Sequence, residues 1–120
     1  MPAALQRLAA AVPYDVTGGN ATPADLVHGH ALFEAMEAGR VVGAFSLGVD
    51  QYSDGRLLRC GAAAGEPGHD LVGAMVTFAE LEARRIGARA MLCETRRPGL
   101  VRRLQGKGFQ IAGFVMLRVM

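Results

Sequence analysis

Residues Asp70 to Phe109 carry the pattern that most restricts what this chain can become. Leu71–Ile86 is apolar around most of a helical circumference, and Gly73, Thr77, Glu80 and Arg84, spaced four, three and four apart, form one polar stripe. Gly87 stops that helix. Ala88–Cys93 reads as a buried strand, and Pro98 stands where a second helix starts, because the first turn has no use for the N–H that proline lacks. A short basic helix then ends at Gly106-Lys107-Gly108-Phe109, and Phe109–Met120 reads as a last strand. Strands that follow helices enter a sheet by parallel crossovers, so this half of the chain predicts a mixed or parallel sheet.

The preceding segment has a different grammar. Ala31–Glu37, Arg40–Gln51 and Arg56–Ala64 are strand-like runs separated by Ala38-Gly39 and by Asp54-Gly55. Asp-Gly between two apolar runs is a strong hairpin signal, because both residues accept positive φ. The three runs therefore predict an antiparallel meander. In the middle run Val41, Phe45, Leu47 and Val49 share a face from which Gly43 removes bulk. In the last run Phe109 and Ile111 take one parity and Phe114 and Met116 the other, which predicts a bulge or bend near Gly113.

The first thirty residues are expected to be helical in two places. Ala3–Val12 is alanine-rich and ends at Pro13; Tyr14–Ala21, with Thr17-Gly18-Gly19-Asn20, is loop by composition. Thr22-Pro23 supplies an N-cap and a first-turn proline for a short helix over Pro23–Gly29. No repeat or low-complexity linker divides the chain, so residues 1–120 are read as one domain.

Composition narrows the class. Half the residues are apolar (51%) and 20% are charged, a globular balance, and no apolar run approaches the roughly 20 residues that span a bilayer. No basic segment precedes an apolar one at the N-terminus, so no signal peptide is read and the cytoplasm is the expected location. Cys60 and Cys93 lie in strands without metal-ligand spacing and are expected as core thiols. Charge is uneven: residues 1–83 carry a balance of −6 and residues 84–120 one of +8. Such a split points either to an anionic partner for the basic half or to a solvated arginine face.

The layout (two helices, three antiparallel strands, a long helix, a strand, a short helix and a last strand) resembles the GNAT superfamily of N-acetyltransferases. More loosely it resembles the very short GNAT-like proteins of phages and prophages. The likeness runs from about Ala31 to Phe114. It implies an α/β fold with a GNAT-like mixed sheet in the order α-α-β-β-β-α-β-α-β. Members usually open with a further strand and often close with two antiparallel ones. A chain trimmed at both ends leaves a sheet edge to cover, so a homodimer through the last strand is expected.

The resemblance also implies acetyl-CoA as acyl donor, held where the third strand turns into the long helix. In the family a glycine-rich turn and a helix N-terminus aim backbone N–H groups at the pyrophosphate. Carried onto this chain, the cofactor-binding residues are Ala63, Gly65, Gly68, His69, Asp70, Leu71 and Gly73. The family pattern at this turn (Gln or Arg, two residues, Gly, one residue, Gly or Ala) falls on Pro67, Asp70 and Val72, none of which matches. Asp70 is expected to cap the helix itself, and its charge beside a phosphate is repulsive by about 1–4 kcal/mol at 4 Å.

The acid and base are unassigned by sequence. The family's tyrosine on the short helix falls on Leu104, and Tyr14 and Tyr52 lie in expected loops. Glu34 and Glu37 are read on opposite faces of one strand, so at most one can face a cleft; Cys60 has no paired histidine. His28 and His30 form an HxH with no third ligand nearby and read as a surface turn. Arg96, Arg97, Arg102, Arg103 and Lys107 cluster on or before the short helix, within reach of either cofactor phosphates or a nucleic-acid backbone; no aromatic residue interleaves with them, so base stacking is not supported. The leading expectation is a small acyl-CoA-dependent N-acetyltransferase, possibly degenerate, and the alternative is a non-catalytic module of the same fold that binds another macromolecule, a protein before a nucleic acid.

Overall fold

The computed structural model describes residues 3–9 and 22–120. Its elements in chain order are α1 (Ala3–Arg7), α2 (Pro23–Leu26), β1 (Ala31–Glu37), β2 (Arg40–Tyr52), β3 (Gly55–Gly65), α3 (Leu71–Arg85), β4 (Ala88–Cys93) and α4 (Pro98–Gln105). One four-stranded sheet has the order β1-β2-β3-β4, antiparallel through the first three strands and parallel between β3 and β4. The meander and the parallel crossover through the long helix are as the sequence predicts. Thr22 caps α2 in a reciprocal capping box with Asp25, and Pro23 sits in its first turn.

Three expectations need adjustment. The hairpin loop between β2 and β3 is Ser53-Asp54; Gly55 is the closing residue, paired with Tyr52 and holding φ at +143°. Only Ala3–Arg7 of the first helix is α-helical among the described residues. Ala10–Val12, the stop at Pro13 and the Tyr14–Ala21 loop lie outside them. The third adjustment is the largest, because Phe109–Met120 joins no ladder among the described residues. Phe109 still packs on the core, but past it the chain is exposed, Phe114 at 88% and Met116 at 90%.

The sheet separates two apolar clusters. One face, under α3 and α4, buries Phe45, Leu47, Leu58, Cys60, Met75, Val76, Ala79, Ala83 and Leu104. Phe33, Phe45 and Phe78 meet there with ring centroids 4.8 to 5.7 Å apart, arrangements worth about 0.5–1.5 kcal/mol per pair beyond burial. The other face is covered by α1 and the α2 region through Ala4, Leu8, Val27, Ala44 and Ala62. Leu71 pins the start of α3 to the sheet, its side chain lying where a Cβ on Gly43 or Gly65 would overlap it.

Two turns carry backbone detail of consequence. Gly87 leaves α3 at φ +69°, its N–H donating to Arg84 O, which accounts for the sharp stop. Ala38 and Gly39 both take positive φ (51° and 76°) in the two-residue β1–β2 turn. Alanine in that region carries roughly 1–2 kcal/mol of steric cost, whereas asparagine tolerates it. Ala38→Asn should therefore stabilise the protein by about 0.5–1 kcal/mol, read as a higher urea midpoint with unchanged slope.

Candidate functional site

β3 holds both neighbours for only part of its length. Its parallel ladder with β4 runs from Arg56 opposite Ala88 to Cys60 opposite Cys93 and stops, while its antiparallel ladder with β2 continues to Gly65. Gly61–Gly65 thus presents backbone N–H and C=O groups with no strand on the β4 side among the described residues. The parting coincides with a bulge. Phe45 pairs with Ala63 and Leu47 with Cys60, so Gly61 and Ala62 together oppose Ser46. Ser46 is fully buried, and its hydroxyl oxygen accepts the Ala62 N–H at 2.9 Å.

The loop after β3 is fastened by ion pairs. Glu66 receives Arg40 at 2.8 Å and Arg7 at 3.6 Å, and the Arg40 hydrogen bond holds its carboxyl below the usual range. His69 Nδ1 stands 2.5 Å from Glu37 Oε2, so the β1 carboxylate serves the loop. Gly68 takes φ +87° in the turn. Asp70 occupies the N-cap of α3, its carboxylate accepting Gly73 N–H at 3.4 Å, as the sequence predicts.

Cations gather over the same helix end. Arg103 Nη2 lies 3.6 Å from Asp70 Oδ1, and Lys107 Nζ lies 3.6 Å from where a Cβ on Gly73 would be. An open cavity of about 600 Å³ lies beside them, lined by Val72, Arg97, Gly99, Leu100, Arg102 and Arg103. Three basic side chains thus line one opening, with Lys107 near the first turn of α3 and Asp70 as the opposing charge. The sequence-expected residues Gly68, His69, Asp70, Leu71 and Gly73 belong to this end, and Ala63 and Gly65 to the open β3 edge.

The expected acid and base positions resolve differently. Leu104 is buried in the core under α3. Burial pushes the Cys60 thiol up to about 12 and that of Cys93 to about 11, so both are neutral thiols at physiological pH and neither is a ready base. Glu34 is exposed on β1. His30 corrects the reading of His28 and His30 as one surface turn. Its backbone N–H donates to Val27 O at 2.8 Å, and its ring lies against the sheet with Nδ1 3.1 Å from Ser46 Oγ. The ring rests where a Cβ on either Gly48 or Gly61 would overlap it. The available signal in sequence was the pair of strand glycines, each able to mark a place where another group approaches the backbone.

Comparison with known proteins decides the architecture. The chain superposes on an acetyltransferase from Trypanosoma brucei with a TM-score of 0.65 at 15% identity, covering 97% of this chain and 89% of that one. It superposes on a ribosomal-protein-alanine N-acetyltransferase from Brucella melitensis with a TM-score of 0.63 at 13% identity, covering 78% and 70%. An aminoglycoside N-acetyltransferase solved with CoA gives 0.60 at 18% identity over 78% and 68%. The chain has the GNAT N-acyltransferase fold. No protein-family model and no curated protein matches its sequence.

Within this GNAT fold, the Ser46 hydroxyl holds the bulge at which β3 parts from β4. Ser46→Ala leaves the Ala62 N–H without its acceptor in a buried place, and should lower stability by about 1–3 kcal/mol in urea unfolding. A loss under 0.5 kcal/mol would show that the bulge does not depend on this bond.

Proposed function

We propose that this chain is a small acyl-CoA-dependent N-acetyltransferase. The observation that carries the reading is the open β3 edge, Gly61–Gly65, with the basic end of α3 and α4 beyond it. The two parts suit the two parts of coenzyme A. An extended amide-bearing arm pairs with unpaired strand backbone, and phosphates suit helix N–H groups with Arg97, Arg102, Arg103 and Lys107 nearby. When bound, the acetyl thioester would supply an electrophilic carbonyl carbon.

Asp70 sets the terms of binding. It competes for the Gly73 N–H and engages Arg103, so both become available only when the carboxylate yields. Asp70→Gly should tighten coenzyme A binding by about tenfold, equivalent to about 1.4 kcal/mol, with some loss of helix-cap stability. Titration calorimetry with acetyl-CoA reads this directly. Wild-type binding at micromolar level that weakens on substitution would make Asp70 a ligand of the working site. Absence of acetyl-CoA heat in both proteins would overturn the reading.

A second reading rests on the same residue and on Leu104. A helix N-terminus already satisfied by Asp70, with a core leucine at the family's tyrosine position, supports a non-catalytic module that binds another protein. The titration separates the two, since the module binds no acetyl-CoA in either form.

We also propose that the protein is a homodimer. Between Ile111 and Met120 seven large apolar side chains are each more than half exposed, and among the described residues β4 is an edge strand with no neighbour beyond it. Twofold pairing of these segments with a second copy covers both. Sedimentation at micromolar concentration should give twice the 12.7 kDa chain mass, and Phe114→Asp with Met116→Asp should give the single mass. A single-mass wild type would overturn the dimer.

A further inference from the structure

Cys60 and Cys93 are the chain's two cysteines, and the fold sets them opposite each other. They form the last rung of the parallel ladder between β3 and β4, at the point where the two strands part. Both are free thiols, and both belong to the apolar cluster under α3 and α4. Neighbouring strands run about 4.8 Å apart. That spacing lies within the range of about 4.4–6.8 Å that a disulfide needs between Cα atoms, so the rung can close with little movement of the backbone. The two differ in access. Cys60 is 3% exposed, whereas Cys93, at the end of β4, is only partly buried.

Burial keeps these thiols quiet toward reagents that arrive from bulk solvent. The nucleophile in oxidation or exchange is the thiolate, and the apolar surround holds both groups in the thiol form. Peroxide meeting this surface therefore finds almost no thiolate. A reagent held beside the rung is in a different position, because a bound and aligned partner gains an effective molarity that a dissolved one lacks.

The open edge supplies such a hold. Gly61–Gly65 starts one residue past Cys60, and its five residues are all glycine or alanine. No side chain of that stretch larger than a methyl stands along the approach to the rung. Its far end meets the N-terminus of α3 and the cations beside it. From Gly65 back to Gly61 is four strand residues, about 13 Å. A ligand anchored by phosphates at the α3 end, with an extended amide arm along β3, thus carries its sulfur toward Cys60 and Cys93. In an acyl thioester that sulfur bears no leaving sulfur; in a disulfide it does.

We propose that the Cys60–Cys93 rung is a thiol–disulfide exchange site for the disulfide of a phosphate-bearing, amide-armed thiol, coenzyme A disulfide. This rests on the reading above that such an arm lies along the open edge. Cys93, the more accessible thiol, reacts first. Its sulfur bonds to the near sulfur of the reagent, the reagent's S–S bond breaks, and the departing thiolate takes up the Cys93 proton. Cys60 then resolves the product: its sulfur bonds to Cys93 Sγ, the mixed disulfide breaks, and the second thiolate takes up the Cys60 proton. Two electrons pass from the two cysteines to the reagent, giving one cross-strand disulfide and two molecules of free thiol. The closed rung ties β3 to β4 at the inner end of the opening, and a reducing thiol reverses it.

The test uses the full chain in whichever form, wild type or Asp70→Gly, gives heat with acetyl-CoA. It is incubated with coenzyme A disulfide or, at equal concentration, with cystamine, which has the same S–S bond and neither phosphate nor amide. Released thiol and intact protein mass are followed. Coenzyme A disulfide should release two thiols per chain and remove two hydrogens from the protein, at a rate about tenfold or more above that of cystamine. Cys60→Ala should stop at one released thiol and keep one coenzyme A in mixed disulfide, and Cys93→Ala should take up none. Equal or reversed rates for the two reagents, uptake of coenzyme A by Cys93→Ala, or no exchange in a chain that binds acetyl-CoA overturns this inference and leaves the acyltransferase reading standing. Absence of acetyl-CoA heat in both forms overturns both.

Discussion

The parting of β3 from β4 after Cys60 is the constraint on which the rest of this molecule turns. A continuous parallel ladder would satisfy every backbone group on β3 and leave no cleft. Here the ladder ends at Cys60 and Cys93, and a two-for-one bulge sits at the next step. A bulge bends its strand and increases local twist, which carries the remaining β3 residues away from the direction of β4. An orphaned N–H in a buried bulge costs about 1–3 kcal/mol, so the arrangement needs an acceptor. Ser46, the buried polar side chain of β2, provides it. One hydroxyl thus supports the opening of the sheet and the orientation of the histidine beside it.

The same constraint explains the heavy fastening of the loop that follows. With no strand to hold its far side, the stretch from Gly65 to Asp70 is tied to the first hairpin and to α1 by side chains. Glu66 collects Arg7 and Arg40, His69 meets Glu37, and Leu71 settles over Gly43 and Gly65. Exposed ion pairs contribute little individually, about 0–1 kcal/mol. Their effect here is positional: they hold the N-terminus of α3 at the end of the open edge. Asp70 then sets the electrostatics of that end. Its carboxylate is the most local partner for helix N–H groups and for Arg103, so any phosphate arriving there displaces an interaction rather than filling a void.

What the sequence made legible follows from the range of the forces involved. β1, β4 and the start of α3 were readable because alternation, helical periodicity, a cap at Asp70 and the exit at Gly87 are local signals. Asp70 as a cap was readable for the same reason. His30 was not. Its niche depends on Gly48 and Gly61 lying on adjacent strands, and on a register shift that brings Ser46 opposite the bulge. Register is a property of pairing, invisible in one strand read alone. The hairpin tip was displaced by one residue for a related reason: Asp-Gly marks the turn, but the pairing of Tyr52 with Gly55 decides which residues lie inside it.

Phe109–Met120 shows the limit of propensity most clearly. Its residues are β-formers, and a strand was the right reading of their local preference. A strand, however, exists only as a member of a ladder, because isolated extended chain satisfies none of its backbone groups within the protein. In this chain α4 delivers the segment past the sheet: Phe109 is anchored in the core by its N–H to Leu104 O and by its ring, and beyond it the path diverges. The phase change between Phe109–Ile111 and Phe114–Met116 is then the mark of two surroundings in succession. The first residue packs on this chain's own core, and the later ones present a second apolar face that this chain leaves uncovered.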